Sequence, residues 1–455
     1  MPHFDHVIIG SGQALGTLLG YLGTTGESIA IIEGDRVGGT CVNTGCTPTK
    51  ALVASAKVAH TVRRASEYGI QTSAIGVDFA AVRARMNGIR DNRGMVSWIE
   101  GMKDVTLIRG WAEFDGPRSV RVGDDQITGG QIYINAGTHP RTPDVPGLDG
   151  VPWLDNARLL DLEELPEHLI ILGGSYIGLE FGQIFRRFGA RVSIIERGTR
   201  LVGREDDDVS DAVREILEGE GIEVLLDAGV VRVDPADRGV SLTVSRSGEE
   251  RTIEGSHLLV AVGRIPNSGA LGLHTAGIEI GERGYIVVDD HCRTSADGVF
   301  AVGDINGHGA FTHTSVNDAE IVLDTMRGGT RTLSERIVSY GLFIDPALGR
   351  VGLTERQAVQ SGRTVMTASR AMKRISRAKE MGETQGFAKL IVDAQTDQIL
   401  GASILGPGGD ELINMIAAFM TTGQPCSTFR RSVLAHPTIS ELMPWILDDL
   451  TLVDA

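Results

Sequence analysis

The sequence predicts an α/β fold with two Rossmann-like βαβ units in succession, followed by an α+β C-terminal domain. Three observations predict it. An apolar strand runs into a Gly-rich turn and a helix at two places, and the strand after each helix ends in an acid at the same distance from its first glycine. Beyond residue 335 the texture changes and no third such turn appears. The length of 455 residues allows roughly three domains at about 150 residues each.

Composition narrows the function classes. Hydrophobic residues make up 42% and charged residues 22%, ordinary globular values that exclude disorder as the main state. The 59 glycines follow no collagen-like period and point to tight turns and close backbone approaches. Lys and Arg total 43 against 59 Asp and Glu, a net charge of −16 that repels polyanions and argues against nucleic acid as a partner. Four cysteines, Cys41, Cys46, Cys292 and Cys426, are too few to staple a chain of this size; that favours a reducing compartment and makes any close pair a candidate for chemistry. Met1 to Gly20 carries no Lys or Arg, and Ser11-Gly12-Gln13 breaks its apolar run, so no secretory signal is read there. No stretch of about 18 apolar residues occurs, so no membrane is expected as a partner and the chain is expected to be cytoplasmic.

Taken in order, His6 to Ile9 is the first strand, Gly10-Ser11-Gly12 the turn, a helix-compatible stretch reaches Gly26, and Ser28 to Glu33 is the second strand. The pattern returns with the strand Leu169 to Leu172, the turn Gly173-Gly174-Ser175-Tyr176-Ile177-Gly178, a helix through Phe188 and the strand Arg191 to Glu196. Glycine in such a turn lets bare backbone approach a pyrophosphate at a helix N-terminus, while the acid accepts from ribose hydroxyls. Leu15 stands at the third glycine position of the first turn and Ser175 at the second of the other, so helix packing is expected to differ. Pro140 to Gly147 and Arg327 to Thr330 mark boundaries. The run Gly298 to Asp304 reads as a strand ending in an acid that returns to the first unit. Lys389 to Val392 and Ile399 to Ile404 read as a strand pair, followed by an apolar helix from Glu411 to Met420.

Between Gly38 and Lys50 lie Cys41 and Cys46, followed by an Ala/Val-rich helical stretch to His60. In a regular helix, residues i and i+5 have Cα atoms about 8 to 9 Å apart, whereas a disulfide needs less than about 7 Å. A bridge therefore requires a distorted turn, which Gly45 and Pro48 make accessible. A metal site and a pair of inert buried thiols are the competing readings; His60, the nearest further ligand type, fits no ligand template. Near the C-terminus His436 precedes Pro437, which favours an extended backbone at a helix start, and Glu441 stands close enough in sequence to orient the imidazole as a general base.

These runs, with Asn135 to Thr138, Val262 to Asn267 and Val302 to Asp304, resemble the FAD-dependent pyridine nucleotide-disulfide oxidoreductases, the class I family of dihydrolipoamide dehydrogenase, glutathione reductase and mercuric reductase, over essentially the whole chain. The resemblance implies FAD on the first unit, with Gly10 and Gly12 at its pyrophosphate, Glu33 at its adenosine ribose, Asp304 near its ribityl-pyrophosphate region, and Gly39, Thr40, Lys50 and Gly137 as further contacts. It places NADH or NADPH on the second unit with Gly173, Ser175, Gly178, Glu196 and Gly263; the acid at Glu196 favours NADH, while Arg197 and Arg200 oppose that preference. It further implies that electrons pass through FAD to a Cys41–Cys46 disulfide and on to a disulfide or thiol-bound metal, or in reverse from a dithiol. Cys46 then faces the flavin, Cys41 attacks substrate, Lys50 and Glu180 pair beside the flavin, and His436 with Glu441 comes from the other subunit of a homodimer. No resident metal is implied. The implied domains are FAD-binding over 1–148 and 270–335, NAD(P)H-binding over 149–269, and dimerisation over 336–455.

Within the family, Val42 to Lys50 and Gly309 to Ser315 are most similar to the mercuric-reductase-like group. The expected C-terminal cysteine pair and N-terminal metal-binding domain of true mercuric reductases are not found in the sequence, which argues against mercury as the natural substrate. The alternatives are a dihydrolipoamide dehydrogenase and a diaphorase or quinone reductase that leaves the cysteines unused.

Overall fold

A computed structural model describes residues 1–453, which form two compact units. The first contains Met1–Ala51, Arg83–Thr142 and Gly263–Arg336. Its sheet has His3–Ile9 at the centre, paired in parallel with Ile29–Glu33 on one side and Asp125–Ile134 on the other. Val105–Arg109 and Val299–Ala301 extend the parallel part, and Ala112–Gly116 and Ser119–Val122 add antiparallel strands, seven in all. Alternate side chains of the central strand enter different cores. Val7 and Ile9 face one, while Ile8 faces the other beneath the helix Ala14–Leu22. Covering both faces of a parallel sheet explains why its strands read as continuous apolar runs.

The helix that was expected to reach Gly26 ends at Leu22, before a turn that leads to the strand at Ile29. Leu15 is 2% exposed and belongs to the core, while a Cβ on its neighbour Gly16 would meet nothing within 4 Å. The second turn is tighter: a Cβ on Gly178 would lie 2.2 Å from the Gly173 carbonyl oxygen. A leucine thus fills by packing the place where the other unit needs a bare backbone.

The second unit contains Leu52–Val82, Pro143–Val262 and the chain from Ile337 onward. Five parallel strands run in the order Glu223–Leu225, Arg191–Ile195, His168–Leu172, His257–Val260 and Trp153–Leu154. Beside them lies an antiparallel sheet of Ala228–Ala236, Gly239–Arg246 and Glu249–Gly255. The C-terminal part is a six-stranded antiparallel sheet in which Phe387–Asp393 and Ile399–Leu405 pair as a hairpin. The helix Gly409–Met420 contributes Ile413 and Ile416 to the core under that sheet.

Candidate active site

The two Gly-rich turns are built alike. Gly10 has φ +92° and Gly173 φ +111°, and a Cβ at either would fall 2.4 Å from a carbonyl oxygen of the neighbouring strand end, that of Asn135 or Ala261. Both the backbone angle and the space therefore demand glycine. Each turn is pinned by the acid at the end of the next strand. Glu33 accepts from the Ser11 N–H at 2.9 Å with one oxygen and from the Asp35 N–H at 2.8 Å with the other. Glu196 accepts likewise from Gly174 at 2.7 Å and Gly198 at 2.6 Å.

The first turn faces a second glycine pair. Gly39 has φ +62°, and a Cβ there would lie 2.9 Å from the Gly12 Cα, so two stretches of bare backbone meet. Gly137, at φ +64°, follows Asn135 in the same region, and Asp304 lies in the turn after the strand Val299–Ala301. The Asp304 carboxylate accepts from Thr138 Oγ1 at 3.1 Å, and Arg264 Nε donates to the same hydroxyl at 2.8 Å. Burial pushes the Asp304 pKa upward, opposed by the Thr138 hydrogen bond and the Arg264 charge. A glycine-lined turn closed by a half-buried acid fits a dinucleotide pyrophosphate and its hydroxyls. Gly263, expected with the second nucleotide set, lies in the first unit, where its carbonyl accepts the Arg141 N–H at 2.9 Å.

The cysteine segment contains the break that bridging requires. Cys41 lies in the short helix Gly39–Asn43, and Cys46 starts a separate helix, Cys46–Arg63. At Gly45 between them, a Cβ would stand 2.9 Å from the Thr40 carbonyl oxygen and 3.2 Å from the Cys41 Cα. Glycine there lets the second helix start against the first. Neither sulfur is disulfide-bonded, and Thr312 Oγ1 donates to Cys41 Sγ at 3.0 Å and lies 3.8 Å from Cys46 Sγ. The Cys41 pKa is pushed up first by its hydrogen bond with Cys46 and then by burial, with Thr312 pulling the other way. Lys50 stands one helical turn after Cys46, on the same face. Cys292 and Cys426 are buried, and Cys426 donates to Asp397 at 2.9 Å.

The second unit holds the remaining expected residues. Glu180 is buried in the helix Tyr176–Phe188 and accepts the Phe343 N–H at 2.9 Å. Ser175 stands at the N-cap position of that helix with an extended backbone and makes no capping bond through its side chain. His436 is 79% exposed in its side chain, and its Nδ1 lies 3.0 Å from both Glu441 carboxylate oxygens. That contact fixes the ring and leaves Nε2 as the nitrogen that can exchange a proton.

Sequence reasoning missed two features. Thr312 was singled out only within a subgroup run, because nothing local ties it to sulfurs so distant in sequence. The acidic run Glu205 to Asp208, to which the sequence assigns no role, is tied into the C-terminal region of its unit. Glu205 and Arg350 are each 1% exposed. One Glu205 oxygen accepts from Tyr176 Oη at 3.0 Å and Tyr340 Oη at 2.8 Å, and the other lies 3.6 Å from Arg350 Nε. Asp206 accepts the N–H groups of Glu355 and Arg356. Lys389 Nζ lies 2.9 Å from Asp208 and 2.6 Å from Glu355. Burial alone would lower the Lys389 pKa, but its carboxylate neighbours raise it overall. Among the described residues, no group of three or more His, Cys, Asp or Glu side chains is arranged to hold a metal, and no helix is long and apolar enough to cross a membrane.

Residues 4–319 match the family described as pyridine nucleotide-disulphide oxidoreductase, and residues 338–447 match the dimerisation domain of that family. The probable pyridine nucleotide-disulfide oxidoreductase RclA of Escherichia coli (strain K12) is 37% identical over 97% of this chain and 98% of its own length. A mercuric reductase of Bacillus cereus is 32% identical over 96% of this chain and 70% of its own. Among solved structures, the Cu(II) complex of the HOCl-induced flavoprotein disulfide reductase RclA from Escherichia coli superposes with a TM-score of 0.88 at 36% identity, covering 99% of both chains.

Proposed function

This chain belongs to the pyridine nucleotide-disulphide oxidoreductase family, whose members depend on FAD and NAD(P)H, and from that premise we propose that it carries electrons from NADH through FAD to a Cys41–Cys46 disulfide and on to a small disulfide or a thiol-bound metal ion. The observation that carries the reading is the sulfur pair brought together across the Gly45 break, with Thr312 donating to Cys41. The names of the relatives, a disulfide reductase solved as a Cu(II) complex and a mercuric reductase, support that acceptor class. Dithiol oxidation, the reverse reaction, uses the same two sulfurs.

FAD would be held by Gly10, Gly12, Gly39, Thr40, Gly137, Glu33 and Asp304, with Lys50 of the same unit toward its reactive end. When bound it supplies the two-electron carrier between nicotinamide and sulfur. Two electrons and two protons open the Cys41–Cys46 bond to two thiols. Cys41 then attacks the substrate disulfide, forming a mixed disulfide and releasing the first thiolate. Attack by Cys46 on Cys41 restores the internal bond and releases the second. Because the Cys46 hydrogen bond and burial hold the Cys41 proton, its attack needs a base. We assign that role to His436, oriented by Glu441 and contributed across the homodimer that the dimerisation domain forms.

The test is anaerobic alkylation before and after NADH. The oxidised enzyme should gain two alkylated sites on NADH addition, at Cys41 and Cys46 by peptide mass. No NADH-dependent gain at either position would overturn the reading.

NADH is the preferred coenzyme because Glu196 carries its charge where a 2′-phosphate would sit, and Arg200, which could offset that charge, is already ion-paired with Asp207. Glu196→Gln keeps an acceptor for the turn and removes the charge. It should raise the NADPH-to-NADH ratio of kcat/KM by about tenfold or more, the equivalent of about 1.4 kcal/mol. An unchanged ratio in steady-state kinetics would reject this assignment.

A further inference from the structure

We propose that Trp111 is a stacking surface for the adenine ring of FAD, an inference that rests on the placement of FAD on the first unit. Trp111 is 76% exposed, more open than Tyr68, Trp98 or Trp445. A single exposed aromatic needs no explanation of itself, but the location of this one does. The indole lies against Gly34, the residue directly after Glu33: a Cβ on Gly34 would fall 2.4, 2.6 and 2.7 Å from ring atoms Cδ2, Cε2 and Cε3. The strands that carry the two residues are neighbours. Glu33 is in register with Arg109, and the Gly110 N–H donates to the Glu33 carbonyl at 3.0 Å.

Three features therefore coincide at the C-terminal edge of the parallel sheet, where such folds take their dinucleotide. Glu33 marks the adenosine ribose, Gly34 has no side chain to hold the indole away, and Trp111 keeps most of its surface open. The base attached to that ribose is a flat π system that continues past Glu33. Purine on indole is a favourable offset stack that excludes water from both faces. By that stack Trp111 adds affinity for the adenine-bearing half of the cofactor.

The experiment uses full-length protein stripped of flavin and titrated with FAD, ADP and FMN, comparing the native chain with Trp111→Ala, Trp111→Phe and Gly34→Ala. Trp111→Ala should raise the dissociation constants of FAD and ADP about 5- to 150-fold. Trp111→Phe should recover most of the loss, and FMN, which has no adenine, should bind all variants alike. Gly34→Ala, which displaces the indole, should follow Trp111→Ala in direction. Tryptophan fluorescence quenched by ADP in the native chain should lose its Trp111 component in Trp111→Phe, and the melting temperature of the flavin-free variants should match that of the native chain. Equal FAD and ADP affinity in Trp111→Ala, or an equal loss for FMN, overturns the stacking role while leaving the electron-transfer reading intact. Failure of the native chain to take up FAD overturns both.

Discussion

Cys41→Ser and Cys46→Ser should each lower NADH-driven reduction of a small disulfide by on the order of 10³-fold or more, the scale expected when a nucleophile that acts in every turnover is removed. Serine has nearly the same shape but cannot form the sulfur–sulfur bond that stores two electrons. No other sulfur can substitute, because Cys292 and Cys426 are buried and Cys426 is engaged with Asp397. The two variants should fail differently. With Cys46→Ser, Cys41 still attacks substrate, so a mixed disulfide accumulates and one equivalent of thiol is released per chain after reduction. With Cys41→Ser nothing is released. NADH oxidation by a quinone, which bypasses both sulfurs, should persist in both. Mass spectrometry and a thiol-release assay separate these outcomes. Full disulfide turnover by Cys41→Ser would leave the diaphorase as the surviving reading.

The second large effect concerns stability. Glu205→Gln leaves the Arg350 guanidinium with no carboxylate beside it at 1% exposure, and removing one partner of a buried pair costs about 3 to 5 kcal/mol. Glutamine still accepts from Tyr176 and Tyr340, so the loss isolates the charge rather than the two hydroxyl contacts. Arg350→Met alone leaves Glu205 uncompensated and should be comparably harmful. Combined, Glu205→Gln and Arg350→Met should cost much less than the sum of the single changes, because no unpaired charge remains. Thermal unfolding of the holoenzyme and its variants checks this. Strict additivity would show that the two groups do not interact.

The contrast between the two clusters shows what a sequence discloses. The βαβ units were legible because each is local: strand, turn, helix and acid follow within one stretch, and the equal spacing of Gly10 to Glu33 and Gly173 to Glu196 corresponds to matching hydrogen bonds in the structure. The cysteine pair was legible as a motif, and Gly45 supplied the signal for the break that brings its members together. Thr312, Arg350 and Lys389 were not, since their partners lie far along the chain and no periodicity links them. The run Glu205 to Asp208 carries no local signal of its partners either. Four adjacent acids repel one another in the unfolded chain, yet tertiary packing gives Glu205 the buried Arg350 and Asp206 the buried Lys389 as partners. Trp111 carried no sequence signal, because its position against Gly34 depends on strand register.

The close approach at Gly10 and Gly173 bears on any attempt to redesign coenzyme use. Positions 173 and 178 have no room even for a methyl group, so a library that randomises the whole turn would spend most of its members on misfolded protein. Ser175 and Arg197 are exposed. Diversity placed there, with Glu196 varied separately, leaves the backbone scaffold untouched while changing what it greets at its rim.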